Sequence, residues 1–213
     1  MRLLDGGPLV LVTTRLRDQT DVMPAIWTSP LSHEPPLVGV VVHPSRHTHD
    51  MIRFSEQFAL NFPARDLLNH VHYFGMVSGR DVNKLELSKL PTFRGSKVEA
   101  PLIQGCVAYI ECGLEEALRL GDHTLFVGRV VVVQAERQSF DETWSVEDAE
   151  YRPLHYLGLD RYATLGERLQ AELRTTDDGA IELTETADER ERRDEAEARE
   201  RERAEREGEG EQG

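Results

Sequence analysis

The sequence predicts a mainly β protein with a few peripheral helices, an α+β fold built around an antiparallel β-barrel. Three observations carry this. Short apolar runs of β-branched composition recur before residue 184. They lack the regular helical spacing that parallel βαβ units need. Only two segments carry a helical period.

Taken in order, residues 8–14 form the first β-rich apolar run. Residues 37–42, Leu37-Val38-Gly39-Val40-Val41-Val42, follow Pro35-Pro36 and fit a strand buried on both faces. A short helix is expected over residues 48–55, then a short strand over 58–62. A second helix is expected over 64–76, where Leu67, Leu68, Val71 and Phe74 share one face. Residues 107–112 and 123–135 are the longest strand candidates, with 113–121 as the break between them. Several short strands with few helices read as a barrel.

Composition narrows the partners. The formal net charge of −14 argues against nucleic acid, which wants a basic surface. No apolar run approaches the roughly 20 residues of a membrane span. The first residues lack a signal-peptide pattern, so a cytoplasmic protein with no membrane partner is expected. Lys84, Lys89 and Lys97 are the only lysines. Cys106 and Cys112 would project from the same face of one strand, about 20 Å apart at ~3.3 Å per residue. They are expected to be unbridged, buried small side chains.

The chain is expected to divide near residue 184, into a folded domain (1–184) and a charged segment (185–213). The latter holds 13 acids against 7 arginines, net −6, with almost nothing apolar. Such a stretch is a solvated helix or disordered, with Glu–Arg pairs at helical spacing giving some helicity.

Three stretches have the makings of a site. In Pro44-Ser45-Arg46-His47-Thr48-His49-Asp50, two hydroxyls and a guanidinium stand where a strand gives way to a helix. Free N–H groups and the helix dipole favour an anion there, and a terminal phosphate fits. The simpler alternative is that Ser45 or Thr48 caps the helix while Arg46 is solvated. Met23-Pro24-Ala25-Ile26-Trp27-Thr28-Ser29-Pro30 lays an aromatic and backbone amides beside a planar ring, or is an ordinary strand with a core tryptophan. Val77-Ser78-Gly79-Arg80-Asp81-Val82-Asn83-Lys84 is a turn-rich loop carrying positive charge, or a plain connection.

Other chemistries find less support. His43, His47 and His49 cluster, as do His70 and His72, but no acidic ligand or Cys/His framework accompanies them, so no metal site is expected. There is no nucleophile elbow, dinucleotide fingerprint or Walker loop. No side chain is assigned a catalytic role. His123, in Gly121-Asp122-His123, opens a strand and either turns at the surface or faces a substrate.

The order of these segments resembles the flavin reductase-like family, the FMN-binding split-barrel group with flavoredoxin-type members. The resemblance runs from about residue 8 to 167. It rests on Pro8-Leu9-Val10-Leu11-Val12-Thr13, Ala25-Ile26-Trp27-Thr28-Ser29-Pro30-Leu31-Ser32, Pro35-Pro36-Leu37-Val38, and Ser45-Arg46-His47-Thr48. Phe58-Ala59-Leu60-Asn61-Phe62-Pro63, the 77–84 loop, Ala100-Pro101-Leu102-Ile103, Gly121-Asp122-His123 and Pro153-Leu154 continue it.

The resemblance implies an FMN-binding split barrel. Ser45, Arg46 and Thr48 then clamp the phosphate, and Ala25, Ile26, Trp27, Thr28 and Ser29 lie along the isoalloxazine ring. Asn61 sits where a strand approaches the flavin, and Ser78, Gly79 and Lys84 close over phosphate and ribityl chain. His123 resembles an element linked to nicotinamide. A homodimer with FMN near the interface is implied. Two residues depart from the pattern: Pro24 stands where a hydroxyl residue is common, and Asp21 where an asparagine is common.

Three functions follow from this reading. One is an NAD(P)H-dependent flavin oxidoreductase, with hydride passing from nicotinamide to flavin and on to a second acceptor. Another is an FMN-containing electron carrier reduced by a redox protein partner, without nicotinamide turnover. The third is non-redox: a structural barrel with a vestigial pocket, or a protein whose acidic segment recruits partners.

Overall fold

The structure is a computed structural model of the 213-residue chain and describes residues 2–171, 173–183 and 189–199. Its centre is a seven-stranded sheet. The strands are β1 (Val10–Leu16), β2 (Gln19–Ala25), β3 (Thr28–Ser32), β4 (Leu37–Val42), β5 (Gln57–Pro63), and two longer ones. Between β5 and those two lie hairpin strands β6 (Thr92–Arg94) and β7 (Pro101–Ile103). The long pair is β8 (Cys106–Leu120) and β9 (His123–Ala135). The order is β2-β1-β5-β8-β9-β4-β3, and every neighbouring pair is antiparallel.

That order requires a barrel. β2 and β3 occupy opposite edges, yet only Ile26 and Trp27 join them. Crossing six strand gaps of about 4.8 Å would take ~29 Å, far beyond the reach of two residues. The sheet must therefore curl until its edges approach, and Val41 N–H, donating to Trp27 O at 2.9 Å, carries the β3–β4 ladder one rung past Thr28 into the two-residue link.

The apolar runs are buried on both faces, as their composition demands. Along β1, Val10 and Val12 join one core cluster with Phe58, Leu60, Val40 and Phe126, while Leu11 joins another with Ala59, Val71, Phe74 and Leu102. The second cluster lies under helix α2 (Leu68–Met76); the first takes in Ile52 of helix α1 (His47–Ser55).

Several expectations change in detail. The break at 113–121 is not one: β8 runs on to Leu120, with register shifts at Glu111/Cys112 and Leu114/Glu116. Pairing with β9 supplies the backbone partners that composition alone did not indicate. Cys106 and Cys112 are free and buried, but they lie in different core clusters with one of those shifts between them. Burial raises both thiols, Cys112 to about 12. The helix expected over 64–76 begins as a 3-10 turn, Arg65–Leu67, before α2. Lys84 opens a short helix α3 (Lys84–Ser88), capped by the Asn83 side chain.

Strand pairs β10 (Phe140–Asp141) with β11 (Thr143–Trp144), and β12 (Leu154–Gly158) with β13 (Arg161–Thr164), complete the unit that ends at Gly166. The second unit contains the hairpin β14 (Leu173–Thr175) and β15 (Ile181–Leu183), and a helical stretch over 189–199. Exposed pairs Arg193–Glu197 and Arg199–Glu195 sit at i,i+4 along that stretch. Residues 185–188 and 200–213 of the charged segment lie outside the described residues. Among the described residues, no helix is long and apolar enough to cross a membrane.

Candidate functional site

Edge strand β2 gathers three adjoining cavities. Proline is tolerated at its end because an edge strand has N–H positions with no ladder partner. Pro24 and Arg46 line all three cavities, so they form one branched groove.

The first branch, about 260 Å³, holds six of the residues expected to hold phosphate and ribityl chain: Ser45, Arg46, Thr48, Ser78, Gly79 and Lys84. Helix α1 begins here with Arg46 at its N-cap and no side-chain capping bond. The simple-cap alternative is thereby set aside. Ser45 Oγ lies 2.8 Å from His43 Nδ1 instead, and Thr48 Oγ1 donates to Asp21 Oδ2 at 2.6 Å. The uncapped first-turn N–H groups and the dipole favour an anion. The Arg46 guanidinium is exposed and has no hydrogen-bond or ion-pair partner among the described residues. Ser78 Oγ accepts from Arg80 N–H at 3.2 Å, which leaves its own hydrogen for a ligand.

Lys84 lines this branch but is itself buried and ion-paired. It is 4% exposed and stands 3.4 Å from Asp21 Oδ1. Burial pulls its ammonium below the ordinary lysine range, Asp21 pulls it back up, and the positive charge of Arg46 lowers it again. The 77–84 loop is held over the branch by Arg80, whose guanidinium meets Asp50 of α1 at 2.7 Å.

The second branch, about 270 Å³, is lined by Met23, Pro24, Ala25, Ile26 and Trp27 along one side and His43 and His123 along the other. The Trp27 and His123 rings are 4.9 Å apart, and those of His43 and His123 5.0 Å. His123 Nδ1 is 2.7 Å from Asp122 Oδ1, a bond that holds the Asp122 carboxyl below its usual range. A flat apolar strip edged by aromatic rings suits a planar heterocycle.

The third branch, about 260 Å³, was not legible in the sequence. Ile26, Val71, Met76, Tyr156 and Tyr162 line it, and the Tyr162 hydroxyl is 3.1 Å from His72 Nδ1. β12 and β13 bring the two tyrosines there from 80 residues or more beyond α2, a distance in sequence that no local pattern spans.

Three expected residues lie outside these linings. Thr28 and Ser29 pair with Val40 and Gly39 in the ladder between β3 and β4. Asn61 is wholly buried: its Nδ2 donates to Leu11 O and Thr13 Oγ1 at 2.9 and 3.0 Å, and its Oδ1 accepts from Ile103 N–H at 2.8 Å. It ties β1, β5 and β7 together and has no capacity directed at the groove.

An anion end continuous with a flat apolar strip fits a phosphorylated aromatic cofactor such as FMN. Residues 4–165 match the family model of the flavin reductase like domain. The chain belongs to that family. A protein of Escherichia coli K12 without an assigned function, YddH, is 35% identical over 176 residues, covering 80% of this chain and 93% of its own. Among solved structures, an FMN-binding protein from Thermus thermophilus with bound p-hydroxybenzaldehyde has a TM-score of 0.69 at 33% identity, covering 78% of this chain and 90% of that one. Flavoredoxin from Methanosarcina acetivorans has a TM-score of 0.70 at 28% identity, covering 81% and 91%. Family membership supports a general role as an FMN-binding oxidoreductase, and the seven-stranded antiparallel barrel with peripheral helices matches these split barrels.

Proposed function

We propose that the chain binds FMN along this groove and works as an NAD(P)H-dependent flavin oxidoreductase that passes electrons to a second acceptor. The observation that carries it is Arg46: an unpartnered guanidinium beside an uncapped helix start, opening directly onto the apolar strip of residues 23–27. Arg46 and the Ser78 hydroxyl take the phosphate. Main-chain groups of residues 25–27 and the Trp27 ring lie along the isoalloxazine and exclude water from one face. When bound, the flavin supplies the redox chemistry, so no protein acid or base is required for hydride transfer. In this reading His123, tilted against Trp27 and braced by Asp122, orients a nicotinamide.

A homodimer is part of this reading. Leu118 and Leu120 near the β8–β9 turn and Val131 and Val133 toward the other end of the hairpin are exposed apolar side chains that a second copy would cover. We read the protein as cytoplasmic. The likeness to a flavoredoxin favours a second reading, an electron carrier reduced by a redox protein partner.

The test begins with purified protein and added FMN. Visible flavin absorbance that stays with the protein supports both readings, and a chain that takes up no FMN sinks both. Anaerobic mixing with NADH and with NADPH then separates them: bleaching of the flavin at a useful rate supports the oxidoreductase. Bleaching only by a protein donor leaves the carrier.

A further inference from the structure

At the foot of the anion branch one carboxylate gathers three elements. Asp21 of β2 is 2% exposed. Its Oδ2 accepts from Thr48 of α1 at 2.6 Å, and its Oδ1 faces Lys84 Nζ of α3 at 3.4 Å. His47 Nδ1 stands 3.7 Å from Oδ2 and has no hydrogen-bond partner. Gly79 completes the enclosure: a Cβ there would overlap Asp21 Oδ1 and lie 2.9 Å from His47 Nδ1, so only glycine lets the loop approach this closely.

A buried ion survives only when paired, and this pairing redistributes the roles around it. Thr48 has one hydroxyl hydrogen, and Asp21 takes it. Thr48 therefore shapes the wall rather than donating to a phosphate. Lys84 reaches only Asp21 and, at 3.5 Å, the carbonyl of Phe74.

We propose that Asp21 is a positioning residue for the flavin phosphate: its carboxylate keeps the Lys84 ammonium charged and in place, so that a phosphate dianion meets a preformed cation and binds without proton uptake. The inference rests on the FMN reading above. Remove the carboxylate, and a buried amine beside Arg46 sheds its proton, which phosphate binding must then restore. The groups facing the pair are Asp21 from β2, Arg46 and His47 from the start of α1, and Lys84 itself from α3. Arg80 on the overlying loop is engaged by Asp50.

The experiment compares full-length wild type, Asp21→Asn and the double variant Asp21→Asn/Lys84→Met from about pH 7.5 to 9.5, above the roughly pH 6–6.5 where imidazoles and phosphates ordinarily titrate. FMN and riboflavin are the probes. For wild type the ratio of their affinities stays flat. For Asp21→Asn it falls as pH rises, by up to about tenfold per unit, because FMN alone must bring back a proton. The double variant buries no unpaired ion, folds, and is flat again with a weaker preference for FMN.

Melting of the flavin-free proteins supplies a second readout. Where the folded amine is neutral and the unfolded one protonated, the unfolded chain holds the extra proton and stability rises with pH. Asp21→Asn therefore gains stability with pH more steeply than wild type, and the double variant does not. Wild type that binds FMN, with an Asp21→Asn variant that keeps a flat ratio and a wild-type melting slope, overturns this assignment alone. So does a double variant with undiminished FMN preference, which decides the matter even if Asp21→Asn does not fold. Wild type that binds neither flavin overturns the FMN reading and this assignment with it.

Discussion

At the anion end of the groove the polar side chains are mostly tied to one another, whereas the 23–27 end is shaped by backbone and rings. Thr48 and Lys84 close on Asp21, Ser45 on His43, and Arg80 on Asp50. Arg46 is the cation left with no such tie. Along residues 23–27 Pro24, Ile26 and Trp27 present a mostly apolar surface, with Asp5, His43 and His123 at its margin. The comparison teaches that one groove discriminates in two ways. With FMN bound as proposed, the anion end separates FMN from riboflavin by charge, and the ring end treats the two alike.

Four substitutions or truncations sharpen or break that contrast. The largest effect is expected away from both ends. Asn61→Ala strips the partners from Ile103 N–H, Leu11 O and Thr13 Oγ1, at a cost of about 3 kcal/mol or more in stability. Denaturant melts should show this with an unchanged FMN-to-riboflavin preference; a preference shift without lost stability would return Asn61 to the site. Next comes Arg46→Ala. Losing a charge-assisted contact should weaken FMN roughly ten- to a hundredfold while leaving riboflavin near its wild-type affinity, as read by fluorescence titration. Equal losses would show that Arg46 does not grip phosphate.

Trp27→Ala should weaken both flavins in parallel by about two- to tenfold, the range of an aromatic stacking contact. A loss confined to FMN would erase the distinction between the ends. The smallest effect belongs to truncation of residues 185–213, which are expected to make no contribution to flavin binding. Unchanged titration curves check this, and lost affinity would bring the charged segment into the site.

An exposed latch adds a pH dependence to the anion end. The hydrogen bond from Arg80 holds the Asp50 carboxyl below its ordinary range. The folded value lies under the unfolded one, so the stabilisation is complete above the unfolded value near 3.9 and lost as pH falls through the folded one. Both side chains are substantially exposed, and the contribution is at most ~1 kcal/mol.

Much of this was legible along the chain because the signals are local. A hydroxyl–guanidinium run between a strand and a helix needs only neighbours in sequence to read as an anion site, and its Ser45, Arg46 and Thr48 line one cavity with Ser78, Gly79 and Lys84 of the 77–84 loop. Apolar runs at 8–14 and 37–42 are strands because β-branched side chains suit a pleated, buried surface. What was misread depended on pairing across the molecule. Asn61 looks like a polar residue approaching a ligand until its three partners, 42 to 50 residues away, are in place. Tyr156 and Tyr162 carry no local sign that they meet α2.

The sequence by itself determined the mainly β class, the charged character of residues 185–213, and the candidate anion and ring segments, because periodicity, composition and turn chemistry act over a few residues. Only the tertiary structure decided how those segments share chemistry. Curling the sheet brings β2 against α1 and α3, and burial there forces Asp21, Thr48 and Lys84 to satisfy one another. A carboxylate that reads as a minor departure in the sequence becomes the centre of the anion end, since a charge removed from water must find its partners wherever the fold has placed them.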